Sequence, residues 1–270
     1  MIVFPRAKIN IGLTIVRKRD DGFHDIETIF YPVGLTDALE FIVPAKPGSA
    51  DRLTVTGTGA GCATADNLVV RAAGLMREKY KFPCLKIHLH KMIPPGSGLG
   101  GGSSDASSML MLLNRYFCLR ANEQELLTLA LMLGSDCPFF IKGTPVLAIG
   151  RGELFTPLPC FLNGYYIVIV RENIHISTPL AYANSKPRGS SSGLKELIKA
   201  PLEKWRDSIA NDFEEYAFRE HPRLQDLKQG MYEAGALFSS MSGSGSAIFG
   251  IFSKEPVSPP RGNIIWQGWL

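Results

Sequence analysis

The chain has 270 residues, of which 45% are hydrophobic and 20% charged, with a formal net charge of +4. Such proportions suit a soluble globular protein of one large or two small domains with ample surface to bury. They argue against a nucleic-acid tail, since the basic run Arg17-Lys18-Arg19 is too short for one.

Five cysteines (Cys62, Cys84, Cys118, Cys137 and Cys160) are odd in number, far apart and without a CxxC pair. That pattern speaks against a disulfide framework or a zinc knuckle and for a reducing compartment. The N-terminal MIVFPRAKIN lacks the charged-then-apolar layout of a signal peptide. The longest apolar stretch, residues 126–133, is far short of the about 20 residues a spanning helix needs. A cytoplasmic protein with neither membrane nor nucleic acid as partner is the expectation.

In chain order, residues 8–16 (KINIGLTIV) alternate Ile9, Ile11, Leu13 and Ile15 with Lys8, Asn10, Gly12 and Thr14, the period of a strand. Lys8 and Asn10 therefore point the same way, about 7 Å apart by strand rise. Such a pair can address one ligand, and it can equally be part of a solvated face. An Asp-Gly turn follows at residues 19–24, bearing Phe23 and His24. A histidine beside an aromatic is more often structural than catalytic. Residues 26–33 and 38–43 read as strands, as does 52–56, which runs into a loop rich in Gly and Ala. Asp66 then stands where a cap belongs, before a helix with apolar positions Leu68, Ala72, Leu75 and Met76.

The densest signal lies at residues 94–106, PPGSGLGGGSSDA, which hold Gly96, Gly98, Gly100, Gly101 and Gly102. Residues 86–93 before them alternate like a half-buried strand. After them Ala106, Met109, Leu110, Leu113 and Phe117 recur on one helix face. A glycine loop thus runs into a helix N-terminus, with Ser103, Ser104 or Asp105 placed to cap it. Glycines let backbone N–H groups converge on a ligand, and a first helical turn adds unpaired donors and partial positive charge. Both favour a polyphosphate. Gly96, Gly98 and Gly101 fit GxGxxG, but a dinucleotide fold needs a second strand and an acidic residue about 20 positions on, whereas this chain runs helix into helix. A P-loop would end in GK[ST] and a protein kinase would carry HRD and DFG, all absent.

A second helix, residues 123–133, stops at Gly134. Asp136 follows in GSDCPFF, fixed between a glycine and a proline and flanked by apolar residues. That setting suits a general base, because desolvation raises a carboxylate's pKa, and it suits a helix cap as well. Residues 146–150 and 153–157 form a hairpin, residues 158–164 look like a boundary between two lobes, and the apolar run 165–171 reads as a strand buried on both faces. Ser177-Thr178-Pro179 starts a helix that carries Tyr182 one turn in. Residues 187–193 (PRGSSSG) are low in complexity and expected to be mobile. Helical patterns follow at 194–199, 202–209, 212–219 and 222–234. Residues 241–247 (MSGSGSA) could form a second anion nest or a tight turn before a strand at 248–252.

The run P-x-x-x-G-L-G-G-G-S-S-D-A resembles the ATP loop of the GHMP kinases, and its Ser-Ser-Asp-Ala ending looks most like the diphosphocytidyl-methylerythritol kinases within them. Segments at 8–24, 134–140 and 241–247 resemble other family motifs in the same order. The resemblance implies an α+β, two-lobed GHMP kinase fold. Its N-terminal lobe, residues 1–160, is similar to a ribosomal protein domain with a left-handed β-α-β unit, and its C-terminal lobe, residues 161–270, is ferredoxin-like. It implies ATP-dependent phosphorylation of a cytidine diphosphate-linked methylerythritol, on the non-mevalonate route to isoprenoid precursors, with Mg²⁺ bridging phosphates. Pro94, Gly96, Gly98, Leu99, Gly100, Gly101, Gly102, Ser103 and Ser104 would hold the nucleotide, and Asp136 and Lys8 would be catalytic. Asn10, Phe23, His24, Asp136, Thr178 and Tyr182 would meet the acceptor, Phe23 and Tyr182 stacking on either side of the cytosine. The family more usually has tyrosine where this chain has Phe23. Homoserine and phosphomevalonate kinases are the nearest alternatives, and they have no reason to carry a base sandwich.

Overall fold

In the computed structural model, which describes residues 1–46, 48–58 and 66–270, the chain opens with β1 (Ile2–Val3), β2 (Arg6–Lys18), β3 (His24–Thr36), β4 (Ala38–Ile42) and β5 (Arg52–Gly57). Helix α1 (Leu68–Lys79), strand β6 (Lys86–Lys91) and helices α2 (Gly101–Tyr116), α3 (Glu123–Leu133) and α4 (Cys137–Lys142) follow. The remainder comprises β7 (Val146–Gly150), β8 (Leu154–Pro157), β9 (Tyr166–Val170), α5 (Thr178–Asn184), α6 (Leu194–Leu197), α7 (Trp205–Ser208), α8 (Glu214–Glu220), α9 (Pro222–Glu233), β10 (Phe238–Met241), β11 (Ile248–Phe252) and β12 (Ile264–Trp269). The chain packs into two units that interleave along the sequence: Met1–Ala7, Leu35–Pro95 and Gly100–Gly143 form the first, and Lys8–Gly34, Gly96–Leu99 and Thr144–Leu270 the second.

The first unit lays α1, α2 and α3 on a four-stranded sheet of order β1-β4-β6-β5. Only the β5–β6 pair is parallel, with α1 as its crossover. Alternation along β4 and β6 sends Leu39, Phe41, Ile87 and Leu89 into the core, where they meet Ala72 and Met76 of α1 and Met109 and Leu113 of α2. Asn67, not Asp66, caps α1, its side chain accepting from the Val69 N–H at 2.9 Å. The amide one residue nearer the helix has the reach that Asp66 lacks. The Gly- and Ala-rich loop expected after β5, and Cys62 within it, falls largely outside the described residues.

The second unit holds two antiparallel sheets, β2-β3-β7-β8 and β10-β11-β9-β12. All of β9 is buried, as its unbroken apolar run requires. Helices α8 and α9 cover its sheet with Ala217, Leu224, Leu227 and Met231. The expected break between strands 26–33 and 38–43 comes later, because β3 continues to Thr36.

Strand β2 departs most from its pattern: residues 7–15 are buried on both faces, polar positions included. It is an edge strand whose outer backbone groups are covered by other segments of its unit. Lys8 N donates to Leu99 O at 3.0 Å, Leu13 N to Ala210 O at 2.9 Å, and Arg188 N to Ile15 O at 2.9 Å. Gly12 sits at φ +66, where a Cβ would lie 2.7 Å from Leu194 and 2.9 Å from Ile209.

The expectation that residues 187–193 are mobile is corrected by the same strand pair. Glu27, 4% exposed on β3, accepts hydrogen bonds from Ser192 N (2.6 Å), Ser192 Oγ (2.8 Å), Gly193 N (3.1 Å) and Leu194 N (3.2 Å). Arg188 also pairs with Asp212 at 2.5 Å. A buried carboxylate with four donors holds a segment that composition alone marks as loose.

Candidate active site

Gly96, Gly98 and Gly100 all take positive φ (+64, +79 and +72), so the backbone passes from β6 to α2 through turns that a Cβ would strain. The helix begins earlier than its capping residues suggest. Gly100 is the N-cap, Gly101 and Gly102 form the first turn, and no side chain caps it. Ser103, Ser104 and Asp105 are therefore helical, not capping residues. The first-turn amides of Gly101, Gly102 and Ser103 are the donors that an α-helix leaves without intrahelical partners. With the helix dipole behind them they suit an anion.

In the second unit, residues 96–99 interlock with the turn at residues 242–247. Ala247 N donates to Ser97 O at 3.1 Å and Ser242 Oγ to Gly98 O at 3.0 Å. A Cβ on Gly98 would stand 1.9 Å from Ser242 O, so only glycine fits there. Asn211 braces the turn from below, its Nδ2 donating to Met241 O and Gly243 O at 2.8 Å each.

Lys8 and Asn10, both buried, belong to this cluster. The Lys8 ammonium donates to Asn10 Oδ1 and to Gly98 O (3.1 Å), and lies 4.8 Å from the centroid of Phe30. Asn10 Nδ2 donates to Thr28 Oγ1 at 3.0 Å, and that hydroxyl donates to Gly12 O at 2.6 Å. Asn10 N donates to Ser242 Oγ at 3.1 Å. Thr28 thereby fixes the amide flip of Asn10, which turns its oxygen toward Lys8. Ser242 lies in the segment read from the sequence as an anion nest or tight turn, whereas Thr28 and Asn211 escape sequence reasoning because each is an ordinary polar residue until its distant partner is known.

Asp136, in the first unit, immediately precedes α4, a helix that the sequence did not foretell. Its carboxylate makes no capping bond, and the residue is half-buried. The apolar flank is real, since Cys137, Phe139 and Phe140 are buried. Burial pushes the Cys137 thiol up to about 11, which keeps it protonated and removes it as a nucleophile at neutral pH.

His24, Thr178 and Tyr182 come together in the second unit. The Tyr182 ring stacks on His24 with centroids 4.5 Å apart and planes 14° from parallel, and its edge meets Phe213 at 4.9 Å. Thr178 Oγ1 shares a hydrogen bond of 2.8 Å with Ser244 Oγ, tying the start of α5 to the 242–247 turn. Phe23 is 52% exposed, with the Arg151 guanidinium 4.7 Å over its ring. At 4.5 Å the His24 and Tyr182 rings are in direct stacking contact, with no gap of a ring's thickness between them. Burial and the nearby Lys18 charge hold the His24 pKa below its usual value, leaving a neutral imidazole at pH 7 with one donor and one acceptor.

Among the described residues no helix is long and apolar enough to cross a membrane, and no cluster of three His, Cys, Asp or Glu could hold a metal ion. Family models for the GHMP kinases N terminal domain and the GHMP kinases C terminal match residues 67–144 and 194–258. The chain is 52% identical to a 4-diphosphocytidyl-2-C-methyl-D-erythritol kinase of Porphyromonas gingivalis, over 95% of this chain and 93% of that protein. It is 45% identical to the Parabacteroides distasonis kinase of that name, over the full length of both. A crystal structure of 4-(cytidine 5'-diphospho)-2C-methyl-D-erythritol kinase superposes with a TM-score of 0.77 at 33% identity, covering 93% of this chain and 90% of that one. A homoserine kinase from Cytophaga hutchinsonii, 18% identical with a TM-score of 0.65, shares the fold. End-to-end identity at this level, on a GHMP architecture, means that the chain belongs to the 4-diphosphocytidyl-2-C-methyl-D-erythritol kinase family of the GHMP kinases.

Proposed function

We propose that the chain transfers the γ-phosphoryl group of ATP to the 2-hydroxyl of 4-diphosphocytidyl-2-C-methyl-D-erythritol, a step in making isoprenoid precursors. The observation that carries this reading is the uncapped N-terminus of α2 at the end of a glycine segment, in a chain of this family. ATP is the phosphoryl donor of GHMP kinases, and residues 96–104 are the segment that suits its phosphates. The matched segments 67–144 and 194–258 fall on either side of the lobe boundary read from the sequence, 1–160 against 161–270, whereas residues 8–34, 96–99 and 144–160 pack with the second compact unit.

Phosphoryl transfer is chiefly positioning plus electrostatic stabilisation. Asp136 accepts the proton of the attacking hydroxyl and orients it. Lys8, aimed by Asn10 Oδ1 and Gly98 O, offsets negative charge that builds on the transferring group. His24, Thr178 and Tyr182 hold the cytosine end, with His24 reading the edge of the base. Mg²⁺ bound to the triphosphate would neutralise part of its charge. A reducing, cytoplasmic setting is in keeping with the free thiols of Cys84, Cys118, Cys137 and Cys160.

The test is ADP release with three acceptors: the cytidine compound, its uridine analogue and free methylerythritol. Wild type is expected to prefer the first, and His24→Ala to lose that preference. Equal phosphorylation of all three by wild type returns the chain to a general GHMP kinase. Asp136→Asn is expected to lose about 10²–10⁴-fold in turnover while binding ATP normally. Near-normal turnover in that variant removes Asp136 from the chemistry.

A further inference from the structure

We propose that Asp105 is a positioning residue for the nucleotide: with Asp37 it clamps Lys91, so fixing the first turn of α2, and the clamp takes up a proton as phosphate docks. This rests on residues 96–104 being the phosphate-binding segment.

Lys91 ends β6, in phase with the buried Ile87 and Leu89, and is itself buried. Its ammonium donates to Asp105 Oδ2 at 2.6 Å and to Asp37 Oδ2. Asp37 Oδ1 in turn accepts from Met92 N at 2.6 Å and Ile93 N at 2.8 Å, so one carboxylate holds both the lysine and the chain leaving it. Asp105 lies one helical turn beyond Gly101. The Lys91 ammonium and the Ile93 side chain lie 3.1 and 2.8 Å from where a Gly101 Cβ would stand. The clamp therefore ties the strand exit to α2 one turn into the helix, with its ammonium lying beside Gly101.

Its charge does not balance when every group is ionised, for two carboxylates face one ammonium. Asp105 Oδ1 is buried and accepts no hydrogen bond, a costly place for anionic charge. Burial pushes the Asp105 carboxyl up to about 7, against the pull of Lys91, and Asp37 adds to the rise. The charged groups acting on it are Lys91 from β6 and Asp37 from the β3–β4 corner. Helices α1, α3 and α4 also pack on α2, and Arg71 of α1 acts on Cys137. A triphosphate at the start of this helix brings more negative charge close by and favours the protonated carboxyl further.

Calorimetry of a nonhydrolysable ATP analogue at pH 7.5, in two buffers of different ionisation enthalpy, counts the proton. Wild type is expected to take one up in part, and its KM for ATP to rise about three- to tenfold from pH 7 to 8.5. Asp105→Asn, which still accepts from Lys91, is expected to bind the analogue near-normally, with no proton uptake and a flat pH profile. Asp105→Ala is expected to raise the KM for ATP tenfold or more while kcat and the acceptor KM hold. A wild type without proton uptake overturns the proposal, as does Asp105→Asn with the wild-type count. So does Asp105→Ala losing activity only in proportion to its folded fraction; if it does not fold, the first two measurements decide. Gly102 is exposed, and among the described residues an added Cβ there meets only Leu68, at 3.8 Å, so Gly102→Val probes the loop. Unchanged nucleotide affinity in Gly102→Val sinks the loop reading itself, whereas lost affinity there without proton uptake in wild type sinks only the clamp.

Discussion

Two lysines lie more than nine-tenths buried among the described residues, Lys8 at 3% exposure and Lys91 at 6%, and they sit in different surroundings. Around Lys91 the oxygens are carboxylates, from Asp37 and Asp105. Bridging the β3–β4 corner and α2 in this way suits a structural clamp. Lys8 is aimed by Asn10 Oδ1 and Gly98 O and lies over the face of Phe30, which suits the transition-state role proposed for it.

Replacing each lysine by methionine is the sharpest way to break this contrast. Lys91→Met is expected to cost about 3–5 kcal/mol of stability, since it strands buried carboxylates, and urea denaturation reads that directly. A loss below about 1 kcal/mol would mean that the carboxylates do not depend on the lysine. Lys8→Met is expected to lower turnover about 10²–10³-fold, the scale of removing one aimed donor. A Lys8 variant that unfolds before it loses turnover erases the distinction.

Thr28→Val sharpens the comparison on the Lys8 side. Without the hydroxyl, Asn10 Nδ2 loses its acceptor, and about 1–2 kcal/mol of stability should go with it. Steady-state kinetics should show a fall in kcat of about tenfold, as expected if Asn10 turns and Lys8 loses its aim. Unaltered kcat would make Thr28 a packing residue only.

A further effect lies on the Lys91 side and depends on pH. The Asp105 carboxyl is raised in the folded state to about 7, so the folded protein holds a proton that the unfolded chain releases near pH 4. The stability this lends is complete below about pH 4 and is lost as pH rises through about 7. Asp105→Asn carries no such proton, and its urea midpoint should gain on wild type between pH 5 and 7.5. Parallel midpoints across that range would show that Asp105 is ionised in the folded state throughout.

Local chemistry settled much of this protein in advance. The alternation of residues 8–16, the glycine run into α2, the stop at Gly134 and the apolar run of β9 all stand in the structure, because each depends on neighbours a few residues away. What tertiary structure alone decided is where polar groups go. Alternation cannot say that both faces of β2 are covered, and composition cannot say that Glu27 ties down residues 192–194. Lys91 did leave a trace, a charge in phase with Ile87 and Leu89, but its meaning needed Asp37 and Asp105, 54 and 14 positions away. The partners of Asn10 are likewise far off, with Ser242 lying 232 residues along the chain. Backbone preference acts locally, whereas a buried polar group takes whichever partner the folded chain brings to it, and that information is spread over the whole sequence.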